Sequence, residues 1–220
     1  MSKARVLSTK KLTPSQRHLL LNADISVVEH AFIKIEPILF EIKQLHRNII
    51  FTSQNAVKSV LKQRSAQELK DKYIFCVGEK TKLKLIEKGL KIIENAQNSF
   101  DLAQKIIKKH KNRPFSFFCG NLKREELPQV LKQNKIAYNE IEVYKTILSP
   151  KKVKGVFDGV LFFSPSGVES YMQDNEIGIS IAFCIGETTA SELKKYTNNI
   201  VIANTPSIEN VIVQAIKHFS

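Results

Sequence analysis

Short apolar runs alternate with longer stretches of helical periodicity along the chain. Ten runs have the length of buried strands: 5–9, 25–28, 48–52, 73–77, 90–93, 115–119, 137–144, 157–163, 179–185 and 200–203. Stretches between them, such as 80–88, place apolar residues at helical spacing, and Gly89 follows that stretch as a C-cap. Strands that alternate with helices predict an α/β fold whose parallel sheets carry helices on both faces.

The same module occurs twice. Residues 50–59 (IFTSQNAVKS) match 161–170 (LFFSPSGVES), and residues 75–81 (FCVGEKT) match 183–189 (FCIGETT), at offsets of 111 and 108 residues. The second copy lacks two strands, which residues 5–28 supply. We therefore predict two similar domains with parallel five-stranded sheets of the flavodoxin-like type. One is discontinuous (1–34 and 148–220) and the other is inserted into it (35–147), with the crossing segments near 32–38 and 142–150 paired as a two-stranded linker.

The excess of basic residues indicates which kind of binding partner the protein has. The chain has 220 residues, 34 Lys+Arg and 21 Asp+Glu, which gives a net charge of +13. This excess favours an anionic partner, and nucleic acid, an acidic membrane surface and a polycarboxylate or phosphorylated metabolite all fit it. The densest basic cluster is Lys105, Lys108, Lys109, Lys111 and Arg113. The aromatic residues lie in strand-like runs apart from it, so a nucleic-acid partner is not expected. The longest apolar stretch, 177–186, is about half of a membrane span, so no membrane partner is expected either.

The cysteines and histidines give no sign of a metal site. Cys76, Cys119 and Cys184 all lie inside apolar runs, there is no CxxC, and the five histidines are scattered. Buried free thiols behave as small apolar residues and suit the reducing cytosol, so we expect a cytoplasmic protein without bound metal. No additional apolar surface is evident, which favours a monomer.

The candidate chemistry lies at repeated junctions between a strand and a helix. In open α/β sheets, ligands bind beyond the carboxyl ends of the strands, where helix N-termini attract anions. One pair of junctions is Ser53-Gln54-Asn55 and Ser164-Pro165-Ser166, with Asn55 and Ser166 as predicted N-caps. The second pair of junctions is GEKT, from Gly78 to Thr81, and GETT, from Gly186 to Thr189 and including Thr188. Serine and threonine there can simply cap helices, but four such junctions facing one cleft favour a ligand with many carboxylates.

The sequence contains no familiar catalytic motif, and its best candidate for a catalytic group is one tyrosine. The sequence has no phosphate-binding loop, no dinucleotide-binding glycine pattern and no nucleophile–histidine set in a recognisable context. A reaction would therefore depend mainly on positioning the substrate, with at most a weak acid. Tyr144, in the segment EVYKT that enters the crossing between the domains, is the best candidate for that acid.

Six segments together resemble the uroporphyrinogen-III synthase family. They are IIFTSQNAV (49–57), VGEKT (77–81), EVYKT (142–146), FSPSGV (163–168), IGETTA (185–190) and ANTPS (203–207), and they span nearly the whole chain in order. The resemblance implies a lyase of tetrapyrrole (haem) biosynthesis that closes linear hydroxymethylbilane to uroporphyrinogen III. It implies loss of water to an azafulvene, a spiro intermediate and inversion of ring D. No cofactor is expected, and the eight carboxylates of the substrate suit the basic charge balance.

The resemblance also assigns residues. Tyr144 matches the tyrosine proposed to assist departure of the hydroxyl group, while Ser53, Thr81, Ser164, Thr188 and Thr189 match positions that line the family's cleft. Lys10 stands where many members carry the arginine of a Thr-Arg-Pro sequence, and it keeps the charge without the two-pronged geometry. From the residues alone, a non-catalytic receptor for an acidic small molecule and an RNA-associated protein remain alternatives.

Overall fold

The computed structural model describes residues 3–220, so the first two residues of the predicted 1–34 segment lie outside it. The chain divides into two compact units. The discontinuous unit contains the described residues up to Lys34 together with Ile147–Ser220, and the inserted unit is Ile35–Thr146.

Eleven strands and eight α-helices form these units within the described residues. The strands are β1 Ala4–Ser8, β2 Ile25–Glu29, β3 Ile33–Pro37, β4 Asn48–Phe51, β5 Tyr73–Val77, β6 Ile92–Ala96, β7 Phe115–Gly120, β8 Tyr138–Leu148, β9 Gly159–Phe162, β10 Ile181–Cys184 and β11 Ile200–Ile202. The helices are α1 Pro14–Leu21, α2 Gln54–Gln63, α3 Glu79–Ile86, α4 Ser99–His110, α5 Glu126–Gln133, α6 Pro165–Met172, α7 Glu187–Leu193 and α8 Ile208–Phe219. A short 3₁₀ helix covers Ala66–Leu69.

The sheet of the discontinuous unit has five parallel strands in the order β11-β10-β9-β1-β2. The central strand β9 is buried along its whole length. Burial on both faces explains why its sequence is continuously apolar and does not alternate. Val168 of α6 and Leu193 of α7 pack with Phe162 on one face, whereas Val211 of α8 packs with Leu161 on the other.

The sheet of the inserted unit has the order β3-β8-β7-β4-β5-β6. Helices α2 and α3 cover one face around Phe51 and Phe118, whose rings are stacked 5.3 Å apart. Helices α4 and α5 cover the other face around Phe75 and Phe117. Each fully buried phenylalanine contributes about 1.5–3 kcal/mol through burial.

Two sequence predictions need correction in the inserted unit. Its sheet has six strands, not five, because β8 continues to Leu148 and β3 pairs with it along that edge. The strand predicted at 90–93 is displaced to Ile92–Ala96. This β6 is an edge strand whose polar residues, including Glu94 and Asn95, are only half-buried, so its sequence lacks the apolar run of a central strand.

A glycine with positive φ follows the C-terminal end of α3. α3 ends at Ile86, and Gly89, with φ of +72°, donates its N–H to the Ile86 carbonyl.

None of the helices between residues 3 and 220 combines the length and apolar character that crossing a bilayer requires.

Candidate functional site

The predicted site residues fall at the carboxyl edge of the sheet in their own unit. In the inserted unit, β4 ends at Phe51, two residues before Ser53, and β5 ends at Val77, directly before Gly78. In the discontinuous unit, β1, β9 and β10 end at Ser8, Phe162 and Cys184, and the next residues lead to Lys10, Ser164 and Gly186. The carboxyl ends of parallel strands share one edge, so each unit gathers its candidate residues there.

Ser53 and Ser164, not Asn55 and Ser166, are the N-caps of α2 and α6. The Ser53 hydroxyl accepts a hydrogen bond from the Ala56 N–H at 3.1 Å. The Ser164 hydroxyl accepts one from the Gly167 N–H at 3.1 Å. Both serines have extended backbones, so each helix begins two residues earlier than predicted.

The correction places Gln54, Asn55 and Ser166 inside the first helical turns. N–H groups in a first turn have no preceding helical carbonyl to bond, so they remain available to an anion. The first turns of α2 and α6 contain no acidic residue. Their positive dipole ends are therefore not neutralised by the chain itself, and both suit a carboxylate.

The second pair of junctions is less suited to anions. Gly78 and Gly186 precede α3 and α7, and a glutamate, Glu79 or Glu187, opens each helix. Gly78 has φ of +84°, a conformation that favours glycine, whereas Gly186 has extended backbone. Because each glutamate already compensates the helix dipole, these junctions attract a second carboxylate less strongly.

The threonines of the second junctions differ in exposure. Thr81 and Thr189 are 5 % and 1 % exposed, whereas Thr188 is exposed. The Thr189 Oγ1 atom has no hydrogen-bond partner among the described residues. Thr188 is thus the threonine of this set that a solute can reach.

Tyr144 lies at the carboxyl edge of the inserted unit. Its hydroxyl group is 3.1 Å from the Ser53 Oγ atom, and either atom can donate. Burial raises the pKa of the Tyr144 phenol, an effect that the hydrogen bond from Ser53 partly offsets. The phenol is therefore protonated at neutral pH and can donate a proton to a ligand.

A bulge in the pairing of β7 with β8 sets the position of this tyrosine. Cys119 pairs with Glu142, but Gly120 pairs with Tyr144, so Val143 is an extra residue that stays buried. A Cβ atom at Gly120 would overlap the Tyr144 ring and lie 2.9 Å from its hydroxyl oxygen. Only glycine leaves room for the ring at this point.

Asn121 fixes β8 just beyond the bulge. Its backbone N–H donates to the Tyr144 carbonyl at 3.3 Å, and its side-chain oxygen accepts from the Thr146 N–H at 2.8 Å. The Asn121 amide also donates to the Thr146 carbonyl at 3.3 Å. The backbone on the C-terminal side of the tyrosine is thus anchored to the residue that follows β7.

Hydroxyl groups also collect at the edge of the discontinuous unit. Thr9 donates its hydroxyl to the Leu161 carbonyl at 2.7 Å, and the Oγ atoms of Ser164 and Ser166 are 3.2 Å apart. A Cβ atom at Gly167 would lie 3.2 Å from the Ser164 hydroxyl, so this first turn is closely packed. Lys10 is exposed two residues after the end of β1 and is the cation nearest in sequence to this edge.

Sequence reasoning missed Gly120 and Asn121. The available signal was a glycine at the end of the buried run FSFFCG, because glycine in a strand often marks a bulge or a close approach. Which side chain fills the space beside that glycine depends on the register between β7 and β8, and the sequence does not reveal that register.

The carboxyl edges of the two parallel sheets thus define an α/β protein with capping serines, two acid-free helix N-termini and a protonated phenol, groups that suit an anionic ligand. The sequence profile described as uroporphyrinogen-III synthase HemD matches residues 17–212, and the chain belongs to this family. The family consists of cyclising lyases of tetrapyrrole biosynthesis. The resemblance identified from the sequence is thereby confirmed.

Two solved structures show the same fold. A uroporphyrinogen-III synthetase from Helicobacter pylori has a TM-score of 0.76 at 17 % identity, with 98 % of this chain and 99 % of that chain covered. A mutant uroporphyrinogen III synthase from the extremely thermophilic bacterium Thermus thermophilus has a TM-score of 0.68 at 13 % identity, with 98 % of each chain covered. At these identities the likeness concerns the fold.

Proposed function

We propose that Tyr144 is the acid of the uroporphyrinogen-III synthase reaction in this chain, with hydroxymethylbilane as substrate. The observation that carries the proposal is the position of its phenol, half-buried at the carboxyl edge and hydrogen-bonded to Ser53 at 3.1 Å. The phenol is protonated at neutral pH and is acidic enough to protonate a departing hydroxide.

The first step would break the bond between carbon and oxygen in the terminal hydroxymethyl group. Electrons from the adjacent pyrrole nitrogen expel the oxygen, and Tyr144 supplies the proton that makes it water. The pyrrole nitrogen then loses its own proton, which restores the Tyr144 phenol, and a neutral azafulvene remains. The substituted carbon of ring D then attacks, which forms a spiro intermediate that fragments and closes again with ring D inverted. A positioned acid accelerates such a step by about 10²–10⁴-fold.

The carboxylates of the substrate would bind at the first turns of α2 and α6. Gln54 and Asn55 lie in the first turn of α2, and Ser166 lies in that of α6, where no acidic side chain competes. Lys10 would add a cation beside the second of these. Each charge-assisted hydrogen bond contributes about 1.5–3 kcal/mol. Several such bonds would orient the bilane so that the substituted carbon of ring D attacks, instead of its free position.

The domain organisation belongs to the same proposal. We propose two flavodoxin-like domains, 1–34 with 148–220 and the inserted 35–147, with β3 and β8 as the two-stranded linker. The division of the chain at Lys34/Ile35 and Thr146/Ile147 and the pairing of β3 with β8 support it. We further propose a monomer in the reducing cytosol without a nucleic-acid partner. Three buried, unpaired cysteines support that compartment.

An isomer assay tests the activity. Fresh hydroxymethylbilane is incubated with the purified protein, the products are oxidised, and the uroporphyrin isomers are separated by chromatography. We expect isomer III with the protein and isomer I in a buffer control, since free bilane closes without inversion. Isomer I alone in both would contradict the activity, and saturable binding of bilane in that case would indicate a receptor.

A further inference from the structure

Two residues define the position of the Tyr144 side chain, one beside its ring and one at its hydroxyl group. Gly120 lies beside the ring where any Cβ atom would overlap it, and Ser53 contacts the hydroxyl at 3.1 Å. Gly120 is buried at the end of β7, and Ser53 is the N-cap of α2, so both are held by regular elements. Rigid elements hold a reacting group more accurately than loops do.

The Ser53 hydroxyl connects Tyr144 to the N-terminus of α2. Its oxygen accepts the Ala56 N–H at 3.1 Å, which leaves its own proton free to point at the phenol oxygen. Accepting one hydrogen bond makes a hydroxyl a stronger donor in the next. The positive end of the helix dipole also favours negative charge that develops within the first turn.

We propose that Ser53 and Gly120 are positioning residues for Tyr144: Gly120 provides the space that fixes the ring, and Ser53 donates a hydrogen bond to the phenol oxygen as its proton leaves. The inference rests on the proposed role of Tyr144 in the reaction. It assigns to Ser53 a function in proton transfer, in place of a contact with the substrate carboxylates.

The serine is tested with Ser53→Ala, Ser53→Thr and the control Ser65→Ala, which removes the N-cap of the 3₁₀ helix in the same unit. Because a hydrogen bond to a charged group is strong, its loss in Ser53→Ala should lower kcat about tenfold or more. We expect KM to change little, Ser53→Thr to restore most of kcat, and Ser65→Ala to keep it. In a Tyr144→Phe background, Ser53→Ala should have no further effect on kcat.

A titration provides a readout that a purely structural role would not move. The absorbance of the phenolate is followed against pH, and the curve of Tyr144→Phe is subtracted to isolate Tyr144. Because the hydrogen bond from Ser53 lowers the pKa of this phenol, Ser53→Ala should raise that pKa. An unchanged titration together with an unchanged kcat would overturn the role of Ser53.

The glycine is tested with Gly120→Ala, for which we expect kcat to fall about 100-fold through displacement of the ring. Gly89→Ala is the control for stability, because it strains a positive φ in the same unit and has no neighbour within 4 Å. If Gly120→Ala does not fold, Gly120→Ala/Tyr144→Ala should fold, since the overlapping ring is gone. Full activity of Gly120→Ala, or equal destabilisation with and without the Tyr144 ring, would overturn the role of Gly120.

These experiments separate the inference from the proposed function. If the wild-type protein forms no isomer III, the proposed function fails, whereas the titration and the stability comparison still report on the contacts of Tyr144. If the wild-type protein forms isomer III and the Ser53 and Gly120 variants match it in kcat, the positioning roles alone fail.

Discussion

Replacing Thr189 by valine should stabilise the protein, because its hydroxyl is buried without a partner. Thr189 is 1 % exposed, and its Oγ1 atom forms no hydrogen bond among the described residues. Burying an unsatisfied polar group costs about 1–3 kcal/mol, and valine has nearly the same shape, so no cavity forms. The expected gain is therefore about 1–3 kcal/mol, or about 2–4 °C in Tm for each kcal/mol.

The measurement is urea unfolding followed by circular dichroism, with calorimetry for Tm. Thr189→Ser is the matched control, because it keeps the hydroxyl and loses the methyl group, and it should be less stable than the wild type. A Thr189→Val protein that is less stable than the wild type would show that the hydroxyl has a partner and would refute the reasoning.

The same variant bears on the substrate-binding role that the resemblance assigns to Thr189. A hydroxyl enclosed by the protein cannot reach a solute without local opening, so we expect KM for hydroxymethylbilane to stay unchanged in Thr189→Val. A KM that rises severalfold would instead show that the hydroxyl becomes exposed and binds the substrate during turnover.

Three further predictions concern capping, acid stability and thiol reactivity. Ser164→Ala should lose about 0.5–2 kcal/mol of stability, through loss of the bond to the Gly167 N–H, and should raise KM; unchanged unfolding and kinetics would contradict this. The Arg17 side chain and the Leu12 N–H lower the pKa of Glu29, so the stability this carboxylate contributes is present above about pH 4.5 and is lost as the pH falls below that value. Glu29→Gln should weaken the pH dependence of the free energy of unfolding in this acidic range, as measured by urea unfolding. An unchanged pH dependence would argue against a stabilising role for the Glu29 carboxylate. Burial raises the thiol pKa values to about 11 for Cys76 and Cys184 and about 12 for Cys119, so iodoacetamide should label all three after unfolding and none before.

The sequence is enough to predict most of the strands, because repeated blocks and apolar runs report on each strand separately. Residues 49–51 of β4 and the whole of β9 are continuously apolar, which indicates burial on both faces of the sheet. β3 and β6 were harder, since an edge strand needs no apolar run. The sixth strand of the inserted sheet follows from the length of β8, which depends on pairing and not on composition.

The site could be predicted to the level of the sheet edge but not to individual contacts. The sequence points to Ser53 and Ser164 but predicts Asn55 and Ser166 as the N-caps, because serine and asparagine can both cap a helix and only the backbone conformation decides which residue does. The partnership of Tyr144 with Gly120 arises from a one-residue bulge in register. Nothing in the local sequence of either strand specifies that register.

The strand order of the discontinuous unit affects how a nascent chain can fold. β1 is an interior strand, and Thr9 bonds to the Leu161 carbonyl, 152 residues further along the chain. At a synthesis rate of about 5–20 residues per second, a ribosome needs roughly 8–30 s to cover that distance. β1 therefore waits without its partner β9, while every strand from β4 to β7 has already emerged. The inserted unit is the part that can complete its core first, and the early strands are where a chaperone would be needed.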